Sequence, residues 1–225
     1  MNNDAWLGLH NPFIQKIDKK HAMHKGVLPA FLRMQRAAAD DGIDCQLVSS
    51  FRDFNRQAAI WNRKWRGELT LYDAHGTALN NDLLSEEQKL VAILTWSAMP
   101  GGSRHHWGTD IDVYDKISVD NAGGQFDLVD REYCEGGPCK QLADWLDEHA
   151  SRFGFFRPFA TFNGGVAREK WHLSYRDIAA EFEQARNEPA LHQAIVNTDI
   201  AGKEALLHCL SAFYPRYVLN QGEPK

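Results

Sequence analysis

Residues 103–112 read S-R-H-H-W-G-T-D-I-D and place two histidines, a glycine and two aspartates within ten positions. In their second half, polar and apolar side chains alternate, which is typical of a β-strand with one face turned to the core. The predicted strand, 109–114, carries Asp112 on its polar face. Gly108 gives the backbone the freedom to turn just before the strand, and such a turn brings His105 back beside Asp112.

A second stretch, E-K-W-H-L-S-Y at residues 169–175, supplies another histidine. We predict that the last strand of the core covers 168–175 and contains His172. His105, Asp112 and His172 then form a set of three nitrogen and oxygen ligands. A catalytic zinc takes this number of ligands from a protein and keeps one position open. The sequence therefore predicts one zinc ion per chain.

Glu169 precedes the last predicted ligand by three residues, and we predict that it is the general base of a hydrolytic reaction. In an unbroken strand, this odd spacing would turn its side chain away from the face of His172. A loop or bulge is therefore expected between the two residues.

Two polar neighbours of the predicted ligands have less support. His106 is expected to point away from the metal, as an outer hydrogen-bond donor. Asp110 shares a face of the predicted strand with Asp112, and it either orients a ligand or is a solvated strand residue. Neither residue is placed in the predicted metal set.

Three motif blocks of the chain resemble those of the zinc D-alanyl-D-alanine carboxypeptidase family, which includes the vancomycin-resistance carboxypeptidases and shares its fold with lysostaphin-type and hedgehog-type domains. The matching residues are Ser49, Arg52 and Gln57 in the first block, Ser103, His105, Gly108 and Asp112 in the second, and Glu169, Trp171 and His172 in the third. The resemblance covers about residues 26–175, and three blocks in family order make a specific signal.

This chain departs from the family pattern at several places. Phe51 stands where the family has tyrosine, and Ser174 stands where many relatives carry arginine. Residues 64–87 and 116–138 look like insertions. These departures concern the substrate preference and leave the predicted metal set unchanged.

The resemblance implies hydrolysis of peptide bonds that involve D-amino acids, in peptidoglycan stem peptides or muropeptides, as in a D-alanyl-D-alanine carboxypeptidase. It also implies that Ser49, Gln57 and Ser103 contact the substrate. Arg52 is predicted to bind a substrate carboxylate or the developing oxyanion. The alternative for Arg52 is a surface ion pair with Asp53, which would contribute little.

Two other functions stay open at this point. One is an endopeptidase of the same fold that cuts between L-alanine and D-glutamate, and the other is a zinc-binding module without catalytic activity. The presence of Glu169 and the open ligand position both favour an enzyme.

Composition bounds the fold and the partners. The chain has 225 residues with a formal net charge of −5, so a basic surface for nucleic acid is not expected. The sequence contains no run of about 18 apolar residues, so a membrane span is not expected. We predict one α+β domain, in which a small, mainly antiparallel sheet with flanking helices forms a core over 26–175. A helical C-terminal extension follows over 176–225, and the oligomeric state is left open.

The N-terminal residues lack the basic and apolar regions of a signal peptide. The chain as written is therefore expected in the cytoplasm, or in the periplasm or cell wall if a leader has been removed or another export route is used. The four cysteines do not form a disulfide framework of the kind found in small secreted domains. Cys134 and Cys139 flank the turn E-G-G-P, which leaves a disulfide between them open.

Hydrophobic periodicity and turn residues predict the remaining elements. Helices are expected over 27–41, 53–65, 85–98 and 139–152, and short strands over 46–50 and 155–159. Residues 1–25 are expected to be an irregular lead-in and 66–85 a loop. The irregular stretch 116–138 is either a substrate lid or a surface insertion.

Overall fold

The computed structural model describes residues 2–223 and confirms the predicted α+β fold. Its α-helices are α1 (Asn3–Leu7), α2 (Leu28–Asp40), α3 (Phe54–Trp65), α4 (Glu86–Trp96), α5 (Lys116–Ala122), α6 (Lys140–His149), α7 (Arg176–Ala185), α8 (Glu188–Val196) and α9 (Lys203–Phe213). Its strands are β1 (Ile14–Lys16), β2 (Ala22–His24), β3 (Cys45–Ser49), β4 (Leu71–Tyr72), β5 (Ala78–Leu79), β6 (Asp110–Asp115), β7 (Phe155–Phe156) and β8 (His172–Tyr175).

The central sheet is antiparallel and has the strand order β3-β6-β8-β7. Its register places Asp112 of β6 directly opposite His172 of β8 and, on the other side, opposite Ser49 of β3. The pairing of β3 with β6 shifts by one residue between Leu47 and Ser49. This irregularity lies where the chain leaves β3 for the segment that carries Arg52.

The apolar face of the central sheet is covered by α2 and α6. Ile111 and Val113 of β6 and Leu173 of β8 are all at least 99% buried there, in contact with Phe31 of α2 and Leu142 of α6. Burial on this face fixes the register, because a slip by one residue would turn these side chains to the opposite face.

A second hydrophobic cluster joins the N-terminal helix to the C-terminal ones. It contains Trp6 of α1, Trp61 of α3, Phe182 of α7, Leu191 of α8 and Leu210 of α9, all almost fully buried. The C-terminal segment is helical, as predicted, and its helices pack against α3 and α4 through this cluster. Within residues 2–223, no helix is long and apolar enough to cross a bilayer.

The prediction of an irregular lead-in over residues 1–25 is wrong. The segment forms α1 and the antiparallel hairpin β1–β2. The side chain of Asn2 accepts a hydrogen bond from the Ala5 amide at 3.1 Å and so caps α1. Trp6 lies in the core, and its carbonyl accepts a hydrogen bond from the indole of Trp107 at 3.1 Å. Tertiary packing, which local periodicity does not reveal, stabilises this short helix.

Three further boundaries differ from the prediction. The stretch 116–138 is not wholly irregular, because Asp115 caps α5 at its start. The loop 66–85 contains the hairpin β4–β5. The last strand begins at His172 instead of residue 168, since the Glu169 amide hydrogen-bonds to the Phe159 carbonyl at 3.0 Å, away from the sheet.

The strand predicted over 155–159 is shorter, since β7 ends at Phe156 and Pro158 has no backbone N–H for pairing. The other predicted elements are confirmed with small changes at their ends. The capping box at the start of α4 is present, since Ser85 Oγ accepts from the Gln88 amide at 3.2 Å and Gln88 Oε1 accepts from the Ser85 amide at 2.9 Å. The thiols of Cys134 and Cys139 are both free in this structure, so the disulfide left open by the sequence is not formed.

We predict that Trp6→Ala destabilises the protein by about 3–5 kcal/mol, because it removes a large side chain from a closed core. Urea denaturation followed by circular dichroism measures this loss. Leu9→Ala is the matched control in the same segment, since Leu9 is 51% exposed and its truncation should cost less than about 0.5 kcal/mol. Equal stabilities for the two variants would contradict the assignment of α1 to the core.

Candidate active site

The structure brings the three predicted metal ligands together. The ligating atoms of His105, Asp112 and His172 all lie within 4.8 Å of one another, and the three residues are buried. Asp112 and His172 meet through the register of β6 and β8. His105 comes from the 3₁₀ turn before β6, which ends at Gly108 with φ +71°. A Cβ on Gly108 would lie 2.8 Å from the His24 backbone nitrogen, so only glycine fits this turn.

Hydrogen bonds orient both histidine rings. His105 Nδ1 lies 3.0 Å from the Ser50 carbonyl oxygen, and His172 Nε2 lies 2.9 Å from Asp110 Oδ1. Carbonyl and carboxylate oxygens only accept hydrogen bonds, so these ring nitrogens carry the protons. The remaining nitrogens, His105 Nε2 and His172 Nδ1, face Asp112 at 3.3 and 3.1 Å.

Glu169 lies beside this group, in the loop that leads into β8. Its Oε2 is 3.3 Å from His172 Nδ1, on the same side of the ring as Asp112. Its backbone is held away from the sheet by the hydrogen bond to Phe159, so the expected break between Glu169 and His172 is present. The carboxylate therefore faces the space between the three candidate ligands.

Electrostatics favour a cation at this place. Burial alone would lower the pKa of His172, but the Asp110 carboxylate at Nε2 and the Asp112 and Glu169 carboxylates beside Nδ1 raise that pKa well above its usual range. Burial would likewise raise the pKa of Asp112, and the His105 and His172 rings instead hold it well below its usual range. Among the described residues, Asp112 Oδ1 is buried without a hydrogen-bond partner. Two imidazole nitrogens and an unpartnered carboxylate oxygen are a donor set that fits a divalent metal ion.

Arg52 approaches the same space from the segment after β3. Its Nη1 donates to Gln57 Oε1 at 2.7 Å and its Nη2 to Ser49 Oγ at 3.3 Å, while its backbone amide donates to the His105 carbonyl at 3.1 Å. Asp53 does not pair with it in the described part of the chain and instead caps α3. The surface ion-pair alternative therefore does not describe Arg52.

The residues proposed as substrate contacts have different surroundings. Gln57 is fully buried, and its amide nitrogen donates to the Ala98 carbonyl at 2.6 Å, so both ends of this amide contact the protein. Ser49 accepts a hydrogen bond from Arg52. Ser103 borders the cavity beside the metal group, and its side chain does not cap the 3₁₀ turn. Substrate contact by these residues stays a prediction, and the geometry makes Gln57 a support for Arg52.

His106 points away from the metal group, as expected, and connects two loops. Its Nδ1 lies 2.6 Å from the Arg52 carbonyl, and its Nε2 accepts a hydrogen bond from the Gly101 amide at 3.1 Å. Burial lowers the pKa of His106 to about 3, so the ring is neutral. It therefore donates to the segment of Arg52, and the position of that arginine depends on the turn that carries His105.

Ser174 shows how this chain accommodates its departure from the family pattern. Its hydroxyl accepts a hydrogen bond from Arg104 Nη2 at 2.8 Å and donates one to Asp110 Oδ2 at 2.9 Å. A guanidinium group therefore lies next to position 174 in this chain as well, but Arg104, in the turn before β6, supplies it instead of residue 174 itself.

The metal group lies in a cavity of about 600 Å³. Besides the predicted site residues, its walls include Lys64 of α3, three residues around the β4–β5 turn (Tyr72, His75 and Gly76), residues 127–131 and residues 217–220. Both predicted insertions and the C-terminal segment thus border the cavity. The prediction missed Lys64, although its spacing of seven from Gln57 on one helix puts the two residues on the same side.

Lys64 is another cationic side chain on the wall of this cavity. Burial lowers the pKa of Lys64 to about 8; the Glu169 carboxylate acts against this effect, and the charge of Arg52 adds to it. The ammonium group therefore loses its proton as the pH rises through about 8, which is well below the range of an ordinary lysine.

Comparison with known proteins identifies the family of the chain. The family model described as VanY, D-alanyl-D-alanine carboxypeptidase, matches residues 20–178, which is well over half of the chain. The chain belongs to the VanY family. A D-alanyl-D-alanine carboxypeptidase of Enterococcus faecalis is 31% identical over 147 residues, which are 64% of this chain and 44% of that protein.

Two proteins of Haemophilus influenzae, both without an assigned function, are also similar to this VanY family member. One is 44% identical over 79 residues, which cover 35% of this chain and 54% of that protein. The other is 32% identical over 127 residues, which cover 56% of this chain and 96% of that protein. The match thus covers about half the length of the 44% identical H. influenzae protein and of the E. faecalis carboxypeptidase.

Solved structures share the fold. VanYB in complex with D-alanine-D-alanine superposes with a TM-score of 0.52 and 22% identity, over 86% of this chain and 87% of that one. The LD-carboxypeptidase LdcB gives a TM-score of 0.51 and 20% identity, over 84% and 71% of the two chains. The VanY-type fold therefore extends beyond the motif blocks to most of the chain.

Proposed function

We propose that this VanY family member is a zinc-dependent D-alanyl-D-alanine carboxypeptidase that acts on peptidoglycan stem peptides. The observation that carries the proposal is the convergence of His105, Asp112 and His172 with Glu169 beside them. The solved VanY structures add support, since one contains D-alanine-D-alanine and another, of a VanY variant, contains Zn(II).

Zinc is the metal that this donor set fits best, with His105 Nε2, Asp112 and His172 Nδ1 as its ligands. When bound, zinc supplies Lewis acidity, which polarises the scissile carbonyl and lowers the pKa of water toward 7. Three protein ligands leave a position open, which is the arrangement of catalytic sites rather than of structural ones.

Glu169 has the position of a general base. Its carboxylate accepts the proton of the attacking water and returns it to the amine that leaves as the C–N bond breaks. The contact of 3.3 Å with His172 Nδ1 puts this carboxylate next to the ligand group, where the water must attack. A module that only bound zinc would have no need of this residue, so Glu169 favours an enzyme.

Arg52 has donors left for a substrate. A guanidinium has five N–H groups, and the contacts with Gln57 and Ser49 use two of them. The others are available to the oxyanion that forms as the carbonyl is attacked. Because Gln57 fixes the guanidinium before the substrate arrives, little rearrangement is needed in the transition state.

Lys64 distinguishes a carboxypeptidase from an endopeptidase. A carboxypeptidase must bind the free carboxylate at the end of its substrate, whereas an endopeptidase binds an uncharged continuation of the peptide. With Arg52 assigned to the oxyanion, we assign the ammonium of Lys64 to that carboxylate. The other arginines on the cavity wall already face protein oxygens: Arg104, Arg131 and Arg186.

The metal assignment predicts about one zinc per chain. His105→Ala, Asp112→Ala or His172→Ala should each abolish tight binding, because two remaining ligands hold zinc weakly. Elemental analysis after dialysis measures the content. His75→Ala is the control, since His75 borders the same cavity outside the group and its variant should stay fully loaded. Full zinc content in any ligand variant would remove that residue from the set.

The reaction predicts release of free D-alanine from a stem pentapeptide that ends in D-alanyl-D-alanine. Glu169→Gln should retain zinc and fold and lower the rate by about 10²–10⁴-fold, the usual contribution of acid–base catalysis. Mass spectrometry of the products measures both the rate and the bond that is cut.

Glu181→Gln, which changes an exposed carboxylate on α7, is the control and should keep the full rate. A cut within the stem, with no D-alanine released, would replace the proposal by the endopeptidase. A wild-type rate for zinc-loaded Glu169→Gln would refute the role of the base.

The role of Lys64 predicts a difference between a free-acid substrate and its C-terminal amide. Lys64→Met should lower kcat/KM about 10–100-fold for the acid, since a charge-assisted hydrogen bond contributes about 1.5–3 kcal/mol, and should leave kcat/KM for the amide nearly unchanged. Arg63→Met, on an exposed neighbour in α3, is the control.

The same assignment predicts a pH dependence for the wild-type enzyme. The ammonium is present below the pKa of about 8 and is lost above it, so kcat/KM for the acid should fall as the pH rises through about 8. This decrease should be absent from Lys64→Met. Equal losses on acid and amide substrates would assign Lys64 a structural role instead.

A further inference from the structure

The carboxylate of Asp110 lies beside the candidate metal site, and all its hydrogen-bond acceptor positions are occupied by protein donors. Its Oδ1 accepts from His172 Nε2 at 2.9 Å and from Arg104 Nε at 2.7 Å. Its Oδ2 accepts from Thr109 Oγ1 at 2.7 Å and from Ser174 Oγ at 2.9 Å. A carboxylate offers about four acceptor sites, so these four donors saturate it. Asp110 is therefore unsuited to bind a metal, although it lies next to a candidate ligand.

Arg104 connects Asp110 to the C-terminal segment. Besides its bond to Asp110, the guanidinium donates to Glu183 Oε1 of α7 at 2.6 Å, and its carbon lies 4.5 Å from the centre of the Trp107 ring. The side chain of Arg104 is 10% exposed and that of Asp110 is fully buried. Because the Arg104–Asp110 ion pair is buried and both side chains make several hydrogen bonds, the two side chains are held in one conformation.

We infer that Asp110, held by Arg104 and through it by Glu183 of α7, is a positioning residue that orients His172 for metal binding. When a metal is bound, the bond to Asp110 would keep the proton of His172 on Nε2 and leave the Nδ1 lone pair, on the side of Asp112 and Glu169, for the metal. Without the acceptor at Nε2, the ring can rotate or carry its proton on Nδ1, and in either state it cannot bind the metal. The inference rests on the proposed role of His172 as a zinc ligand.

This arrangement makes a segment beyond the region of the family match part of the metal site. Glu183 lies after residue 178, where the match ends, yet it pairs with the arginine that fixes Asp110. The two histidines are oriented by different kinds of acceptor. His105 hydrogen-bonds to a backbone carbonyl, and His172 hydrogen-bonds to a side chain. A point substitution can therefore remove the acceptor at His172, which is the Asp110 side chain, but not the backbone acceptor at His105.

The test measures zinc affinity, which is independent of turnover. Asp110→Asn keeps the size of the side chain and removes its charge, and it should weaken zinc binding about 10–100-fold, as loss of an outer hydrogen-bond partner does at other metal sites. Competition with a chromophoric chelator gives the dissociation constant. Asp115→Asn is the matched control, since Asp115 is equally buried on β6 but caps α5 and does not contact a ligand.

The expected result is a weakened Asp110→Asn with an unchanged Asp115→Asn. If wild type and Asp110→Asn bind zinc equally, the inference is wrong and the proposed function is untouched. If wild type itself binds no zinc, the zinc dependence of the proposed function fails first.

A second measurement needs no variant and covers the case in which Asp110→Asn does not fold. Nitrogen-15 spectra of the histidines in zinc-loaded wild type should show His172 protonated at Nε2, with a slowly exchanging proton, and metal-bound at Nδ1. A His172 ring protonated at Nδ1 would overturn the inference.

Discussion

The candidate active site depends on the antiparallel register of three strands. In it, Asp112 lies between Ser49 and His172, and the spacing of about 4.8 Å between strands brings the Asp112 and His172 side chains within reach of one ion. The register is held from the other face, where Ile111 and Leu173 are buried under α2 and α6. Because a slip by one residue would exchange the two faces, the hydrophobic core and the metal group depend on the same pairing.

Much of this was predictable from local patterns. Alternation after Gly108 indicated β6, the spacing of Ser85 and Gln88 indicated the start of α4, and the motif blocks indicated the family. Each of these signals lies within about ten residues, where periodicity, turn chemistry and capping act. The break between Glu169 and His172 was also predictable, because a functional carboxylate at that spacing cannot share a regular strand with the ligand.

What sequence could not reveal depends on contacts between distant segments. The helix that carries Trp6 is too short to be stable alone and forms because residues about 100 positions away pack over it. The burial of Gln57 and the cavity position of Lys64 follow from how α3 is placed. Asp110 could be read as a solvated or an orienting residue until the structure brought Arg104 and His172 to its two oxygens.

The cavity walls have a consequence for how members of this family can diversify. The hairpin β4–β5, residues 127–131 and residues 217–220 border the cavity, yet they contribute neither a candidate metal ligand nor the base. These segments can therefore accumulate substitutions, insertions and deletions while the chemistry is conserved. The fold separates the residues of the candidate metal site from those that line the rest of the cavity, so family members with the same motif blocks can differ in the ligands that they accept.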